Sequence, residues 1–139
     1  DLIGEIIDSE MIIRVCVVGV GNLGRAIINY FSGKRTKLSI IAVFDSNVEK
    51  VGKKYSGVTC YGIDQINELV KKEDIKIGII TVPADQGQTT ADRLVKAGIK
   101  GILNYAPKSV SVPKDVHLEE YDMITSLEKV AFFVKTHSD

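Results

Sequence analysis

An α/β domain built on a doubly wound, mostly parallel sheet is the expectation from three features of this sequence. Strand-like and helix-like segments alternate from Ile12 onward, the pattern of βαβ units. The strand-like segments are apolar almost throughout, as strands covered on both faces must be. A glycine-rich turn, Gly19-Val20-Gly21-Asn22-Leu23-Gly24, joins the first strand to the first helix.

Each element has its own signal. Ile12–Val18 is an apolar run broken only by Arg14 and predicts the first strand. A helix opens near Asn22, where Gly24, Ile27, Ile28 and Phe31 keep the i, i+3, i+4, i+7 spacing of one face. Gly33 and the cluster Lys34, Arg35, Lys37 end it. Leu38–Phe44 is a second strand, stopped by Asp45-Ser46-Asn47, and a short turn of helix is expected over Val48–Lys53. Val58–Tyr61 predicts a third strand, and Asp64 is placed as the N-cap of a helix running to Lys72. Ile75–Val82 is the fourth strand, ended by Pro83. Ala84–Ala97 is the next helix, closed by Gly98. Ile99–Asn104 is the fifth strand, followed by a loop from Ala106 to Pro113. Val116–Met123 predicts a weaker sixth strand, and Thr125–Thr136 a final helix.

Composition narrows the function. The chain has 139 residues, enough for one domain with its own core, taken here as residues 13–139. Residues 1–12 are expected to be a linker or the end of an upstream helix. This segment carries Asp1, Glu5, Asp8 and Glu10 and no base up to Ile13. A start at Asp rather than Met suggests a piece of something longer. Eighteen bases against 18 acids leave no basic footprint for a phosphate backbone, so direct nucleic-acid binding by these residues is not expected. No apolar run is long enough to span a bilayer, and two cysteines make no disulfide framework, so a reducing cytoplasm is expected.

The turn motif acquires meaning from its context. It follows a strand and opens a helix, and Asp45 stands 21 residues beyond Gly24, at the end of the next strand. That is the fingerprint of a Rossmann-like dinucleotide site. Gly19 allows a tight turn, Gly21 lets a pyrophosphate approach the backbone, and Gly24 lets the helix pack close to the strand. The helix start at Asn22 and Leu23 offers N–H groups and a positive dipole end to the phosphates. Asp45 would accept hydrogen bonds from an adenosine ribose and repel a 2′-phosphate, which favours NAD(H) over NADP(H). Lys50 and Lys53 nearby weaken that preference. A coenzyme A site is the alternative in the same fold.

A doubly wound sheet places ligands where its strand order reverses. This rule selects Thr81-Val82-Pro83 as the second wall, with Asn104 and Tyr105 as neighbours. Thr81 brings a hydroxyl, Asn104 an amide, and Tyr105 a ring that could stack or simply fill the core. Catalytic groups are not evident. His117 and His137 lie away from those loops, no His/Cys/carboxylate group has metal-ligand spacing, and Ser109 and Ser111 have no basic partner. The final helix, with Leu127, Val130, Ala131, Phe132, Phe133 and Val134, is apolar over more circumference than one core needs. Burial against a second subunit is the expectation.

These residues resemble the C-terminal domain of the Rex family of redox-sensing transcriptional repressors. The likeness runs from about Val15 to the end. It is carried by Val18 to Gly24, by Val43-Phe44-Asp45, by Thr81 to Ala84, and above all by the stretch from Ala91 to Pro107. It implies a homodimer that senses NADH, exchanges its C-terminal helix between subunits, and has no catalytic activity. It also implies that Asp122, just before that helix, lies near the nicotinamide. Operator DNA would be bound only through an N-terminal winged-helix domain, which this sequence does not contain. Two further readings are the nucleotide-binding domain of an oxidoreductase and a coenzyme A-binding domain, the latter disfavoured by Asp45.

Overall fold

The computed structural model describes residues 11–34 and 37–137, so the acidic segment from Asp1 to Glu10 lies outside them. The described residues form strands β1 (Ile13–Val18), β2 (Leu38–Asp45), β3 (Lys54–Tyr55), β4 (Val58–Gly62), β5 (Ile77–Ile80), β6 (Gly101–Asn104) and β7 (His117–Glu120). Their helices are α1 (Asn22–Phe31), α2 (Ile66–Lys72), α3 (Gly87–Ala97) and α4 (Met123–His137). One sheet runs in the order β3-β4-β2-β1-β5-β6-β7. Every pairing is parallel except β3 with β4. The order reverses at β1, with β2 on one side and β5 on the other, so the expected doubly wound sheet is present.

Alternation along the strands divides the core into two layers. Cys16, Val18, Ala42, Phe44 and Ile80 face α2 and α3, where they meet Ile66, Val70, Ala91 and Leu94. Val15, Val17, Val43, Cys60 and Ile79 face the other way and meet Ile28 of α1. Phe44, Val17 and Leu94 are fully buried, each contributing roughly 1.5–3 kcal/mol of transfer free energy.

Several expectations need correction. Val48–Lys53 is a sequence of turns rather than helix, and β3 follows it unannounced. β3 and β4 form a hairpin whose turn, Ser56-Gly57, has both residues at positive φ (50° and 83°), as a primed turn requires. Asp64 is not an N-cap. It lies inside a 3₁₀ turn, Ile63–Gln65, capped at Gly62, whose N–H donates to Gln65 Oε1 at 3.0 Å. The helix expected from Ala84 begins as a 3₁₀ turn over Ala84–Gln86 and becomes α-helical at Gly87. The fourth, fifth and sixth strands are each shorter than their apolar runs.

The two faces are unequally covered. Beside α1, a groove of about 590 Å³ lies open over β5 and β6, lined by Phe31, Ile40, Ile77, Ile79, Leu103 and Tyr105 among others. Helix α4 does not fill it. Leu127, Val130, Phe132, Phe133 and Val134 are 58–70% exposed, so the domain carries an open apolar groove and an unburied apolar helix together.

Candidate functional site

The carboxyl ends of β1, β2 and β5 converge on one cleft of about 330 Å³. Gly19, Gly21, Asp45, Thr81, Val82 and Pro83 line it, six of the positions selected from the sequence. Val20, Ser46, Lys50, Ile63 and Gln86 complete the wall.

Close backbone packing explains the glycines. Gly19 has φ +102°, and a Cβ there would lie 2.8 Å from the Thr81 carbonyl oxygen. At Gly24 a Cβ would lie 2.1 Å from the Gly19 oxygen, so only glycine lets α1 start this near the turn. Gly21 differs, since a Cβ there would meet nothing within 4 Å. It faces the open cleft, the side from which a pyrophosphate would approach. Helix α1 has no side-chain cap and no acid in its first turn, so its positive end is left to a ligand. Asn22 and Leu23 stand exposed at that end. These features fit a dinucleotide.

Thr81 works as a tether. Its Oγ1 lies 2.7 Å from the Gly19 oxygen and 3.1 Å from the Val18 oxygen, and its N–H donates to Val18 O at 2.9 Å. A hydroxyl has one proton, and here the two carbonyls of the glycine turn share it. Pro83 is exposed on the same wall.

Asp45 is 12% exposed at its side chain. Its Oδ2 accepts the Val20 N–H at 2.8 Å and its Oδ1 the Asn47 N–H at 2.8 Å. Each oxygen has a second lone pair, so the carboxylate retains capacity for two ribose hydroxyls. Lys50 donates to the Val20 oxygen at 2.9 Å and stands 3.9 Å from Asp45 Oδ2. A larger crevice of about 720 Å³ continues past Asp45 and Ser46, with Val48, Val51 and Ile63 as apolar walls. Val48 is 82% exposed, an apolar side chain in water unless a flat ring covers it. Sequence reading did not select these residues, although an exposed valine in a turn of polar residues was a usable signal.

Of the other six expected positions, Asn22, Leu23 and Gly24 form the helix start that follows Gly21, and three lie outside this cleft. Asn104 is 1% exposed, and its amide is bonded within the fold. It donates to Lys108 O at 3.1 Å and Glu120 Oε2 at 2.9 Å, and accepts from the Ala106 N–H at 2.9 Å. The amide therefore holds the loop after β6, with both its N–H protons and one lone pair of its oxygen committed inside the fold. Glu120 also accepts from Ser109 Oγ and the Val110 N–H. Burial pushes its carboxyl pKa up, but these three hydrogen bonds outweigh that and hold it below the usual range, against a small opposing effect of Asp122. Tyr105 lines the groove on the α1 side, its ring 5.2 Å from that of Tyr121. Asp122 caps α4, accepting from the Thr125 N–H at 3.1 Å and the Thr125 hydroxyl at 2.6 Å.

A nucleotide cleft at the switch point of a doubly wound sheet is the class this geometry defines. The chain belongs to the CoA binding domain family, whose model matches residues 10–108. Within that class it is similar to Rex proteins. It is 35% identical over 99% of its length to the redox-sensing transcriptional repressor Rex of Listeria welshimeri, and 41% identical over 95% to that of Brevibacillus brevis. It spans 64% of the length of each. Among solved structures it is similar to RSP, a Rex-family repressor, in complex with β-NAD+ and operator DNA. That match has TM-score 0.89 and 35% identity, covering 95% of this chain and 61% of RSP. RSP in complex with β-NADH matches with TM-score 0.82 at the same identity, over 91% of this chain. The resemblance to the C-terminal domain of Rex thus holds along nearly the whole chain. A UDP-D-quinovosamine 4-dehydrogenase from Vibrio fischeri, at 16% identity and TM-score 0.64, shares the fold alone.

Proposed function

We propose that this chain is the NAD(H)-sensing domain of a Rex-like transcriptional repressor and has no catalytic activity of its own. The observation that carries the reading is the cleft. A glycine turn open at Gly21, an uncapped helix start and Asp45 at the end of β2 meet in a chain 35–41% identical to Rex proteins. Bound there, the dinucleotide supplies a ring whose charge and planarity differ between oxidation states. The residues Gly19 to Gly24 hold the pyrophosphate, Asp45 the adenosine ribose, and Val48, Val51 and Ile63 the adenine. Thr81, Val82 and Pro83 form the wall leading toward the nicotinamide, with Tyr105 and Asp122 beyond it.

In this reading the protein is a cytoplasmic homodimer. The apolar face of α4 covers the groove on the α1 side of its partner's sheet, and operator contact belongs to a winged-helix domain N-terminal to this one. Among the described residues no helix is long and apolar enough to cross a membrane. The family description favours a second ligand, coenzyme A. Its ribose bears a 3′-phosphate, which would meet the Asp45 carboxylate, so Asp45 argues against it.

Nicotinamide fluorescence tests the proposal directly. NADH titrated into the purified chain should bind, NAD+ should compete more weakly, and coenzyme A should not compete. No steady oxidation should follow when small carbonyl compounds are added. Turnover with any of them would overturn the regulatory reading, and binding of coenzyme A alone would move the site to the second ligand.

A further inference from the structure

We infer that Asp45 and Lys50 act as a pair, and that Lys50 is a latent 2′-phosphate-binding cation held in check by Asp45. The inference rests on the NAD(H) reading above and concerns which dinucleotide the same cleft admits. Lys50 lines the cleft beside Asp45, Gly19 and Gly21. Its Nζ donates to the Val20 oxygen at 2.9 Å and stands 3.9 Å from Asp45 Oδ2, which itself accepts the Val20 N–H at 2.8 Å. The N–H and C=O of one residue, between the two glycines that shape the turn, are thus held by opposite charges. Both side chains are largely withdrawn from solvent, 26% exposed for Lys50 and 12% for Asp45.

An ammonium has three protons, and the Val20 carbonyl uses one. A 2′-hydroxyl seated on Asp45 donates to it and leaves the pair undisturbed. A 2′-phosphate in that place brings more than one negative charge to the carboxylate, but also to the ammonium beside it. The pair is neutral as a unit, so it rejects the phosphate less strongly than a lone carboxylate would, and loss of Asp45 leaves a cation facing the ribose. Other bases are less well placed. Lys53 is exposed just before β3 and Lys54 within it, and Arg93 lines the adjoining crevice rather than this cleft.

Fluorescence titration of NADH and NADPH against four proteins tests the pair: the natural chain, Asp45→Asn, Lys50→Met and the double variant. In the natural Lys50 background, Asp45→Asn should shift the affinity ratio toward NADPH by about ten-fold or more, the scale of one favourable charge contact. Adding Lys50→Met to Asp45→Asn should return the ratio toward NADH by about ten-fold, since the cation left facing the 2′-phosphate is gone. Lys50→Gln removes the charge but can still donate to the Val20 carbonyl, and in Asp45→Asn it should have the same effect, which keeps the test decisive if Lys50→Met does not fold. In Asp45→Asn, added salt should weaken NADPH binding more steeply than NADH binding. An unchanged ratio on adding Lys50→Met or Lys50→Gln to Asp45→Asn, or equal salt slopes, would overturn the role of Lys50 and leave the NADH reading standing. A natural chain that binds neither dinucleotide would remove both.

Discussion

Substituting Gly24 by alanine adds a single methyl group, and the structure says where its cost falls. The new Cβ would lie 2.1 Å from the Gly19 oxygen and 3.1 Å from both the Gly19 carbonyl carbon and Thr81 Oγ1. The first two are backbone atoms, and the Thr81 hydroxyl is tied to the turn by its own hydrogen bonds. The start of α1 must therefore move by about an ångström from the turn to reach ordinary van der Waals distance. Overpacking of this kind costs roughly 1–3 kcal/mol. The Thr81–Gly19 hydrogen bond, 2.7 Å long, is strained by the same movement and adds about 1 kcal/mol. A total of about 2–4 kcal/mol follows, and at roughly 3–5 °C per kcal/mol for a domain of this size the melting midpoint falls by about 6–20 °C.

Gly21→Ala provides the control, because its Cβ meets nothing within 4 Å and its φ of −86° suits any residue. Its stability should change by no more than about 1 kcal/mol, the scale of a helix-cap substitution. Its methyl group, however, would stand where the pyrophosphate approaches. Circular-dichroism melting at fixed protein concentration, with NADH titration of each variant, separates the two. Gly24→Ala should lose both stability and affinity, Gly21→Ala affinity alone. A silent Gly24→Ala, or a Gly21→Ala that binds NADH like the natural chain, would refute the argument that close packing and ligand approach are divided between these positions.

Other perturbations address the helix, the loop and the thiols. Phe132→Ser with Phe133→Ser removes two side chains now 70% and 60% exposed. If α4 is buried in a dimer, light scattering should move toward the monomer mass, whereas an unchanged dimer mass would sink that interface. The Glu120 carboxyl pKa is depressed in the folded state, so its stabilisation is present above the unfolded carboxyl pKa and lost as pH falls through the folded one. Glu120→Gln should flatten the acid limb of stability against pH, and an unaltered limb would count against the Asn104–Glu120 network. Burial pushes the Cys16 thiol up to about 12, and burial with the Asp45 charge raises that of Cys60 against a smaller lowering effect of Lys50. Neither should alkylate in the native protein at pH 8, so rapid native labelling would contradict the packing of β1 or β4.

What the sequence made legible follows from the range of the interactions involved. Apolar strands and a 3.6-residue period are local signals, so the alternation and the doubly wound class follow from the sequence. The glycine turn and Asp45 have a fixed spacing because one βαβ unit has a fixed size, and the cleft forms as that spacing implies. Short pieces escaped notice. β3 has two residues, too few for any period, and the helical turn expected just before it, over Val48–Lys53, is a run of turns instead. Asn104 was placed at the nicotinamide because it ends a strand at the right edge. Its partners are Lys108 and Glu120, four and 16 residues away, and nothing in its neighbourhood shows that they occupy the amide. Lys50 posed the reverse problem. Its nearness to Asp45 in sequence was plain, but its bond to Val20, 30 residues distant, appears only in the folded chain.

The unequal covering of the sheet bears on how a cofactor could move a dimer. A ligand shifts a two-state equilibrium only by the difference in its affinity for the two states, and NADH differs from NAD+ only at its ring. The ring's wall must therefore have a mechanical connection to whatever the dimer rearranges. One short chain of contacts joins Thr81 to α4. Its neighbour Ile80 accepts the Tyr105 N–H at 2.8 Å, and Asn104, just before Tyr105, accepts the Tyr121 N–H at 2.9 Å. The two tyrosine rings lie 5.2 Å apart, and Asp122, next to Tyr121, caps the helix. β5, β6 and the start of α4 thus meet within two hydrogen-bonded steps, at the edge where the groove is open. In the proposed dimer, the partner's α4 rests on that groove against Tyr105. A ring that displaces the Thr81–Pro83 wall acts on the support of one subunit's helix and the seat of the other's. Moving such a dimer from mostly open to mostly closed takes about 5 kcal/mol in all. Two symmetry-related sites divide that into about 2–3 kcal/mol each, the scale of a few changed contacts rather than of a refolded domain.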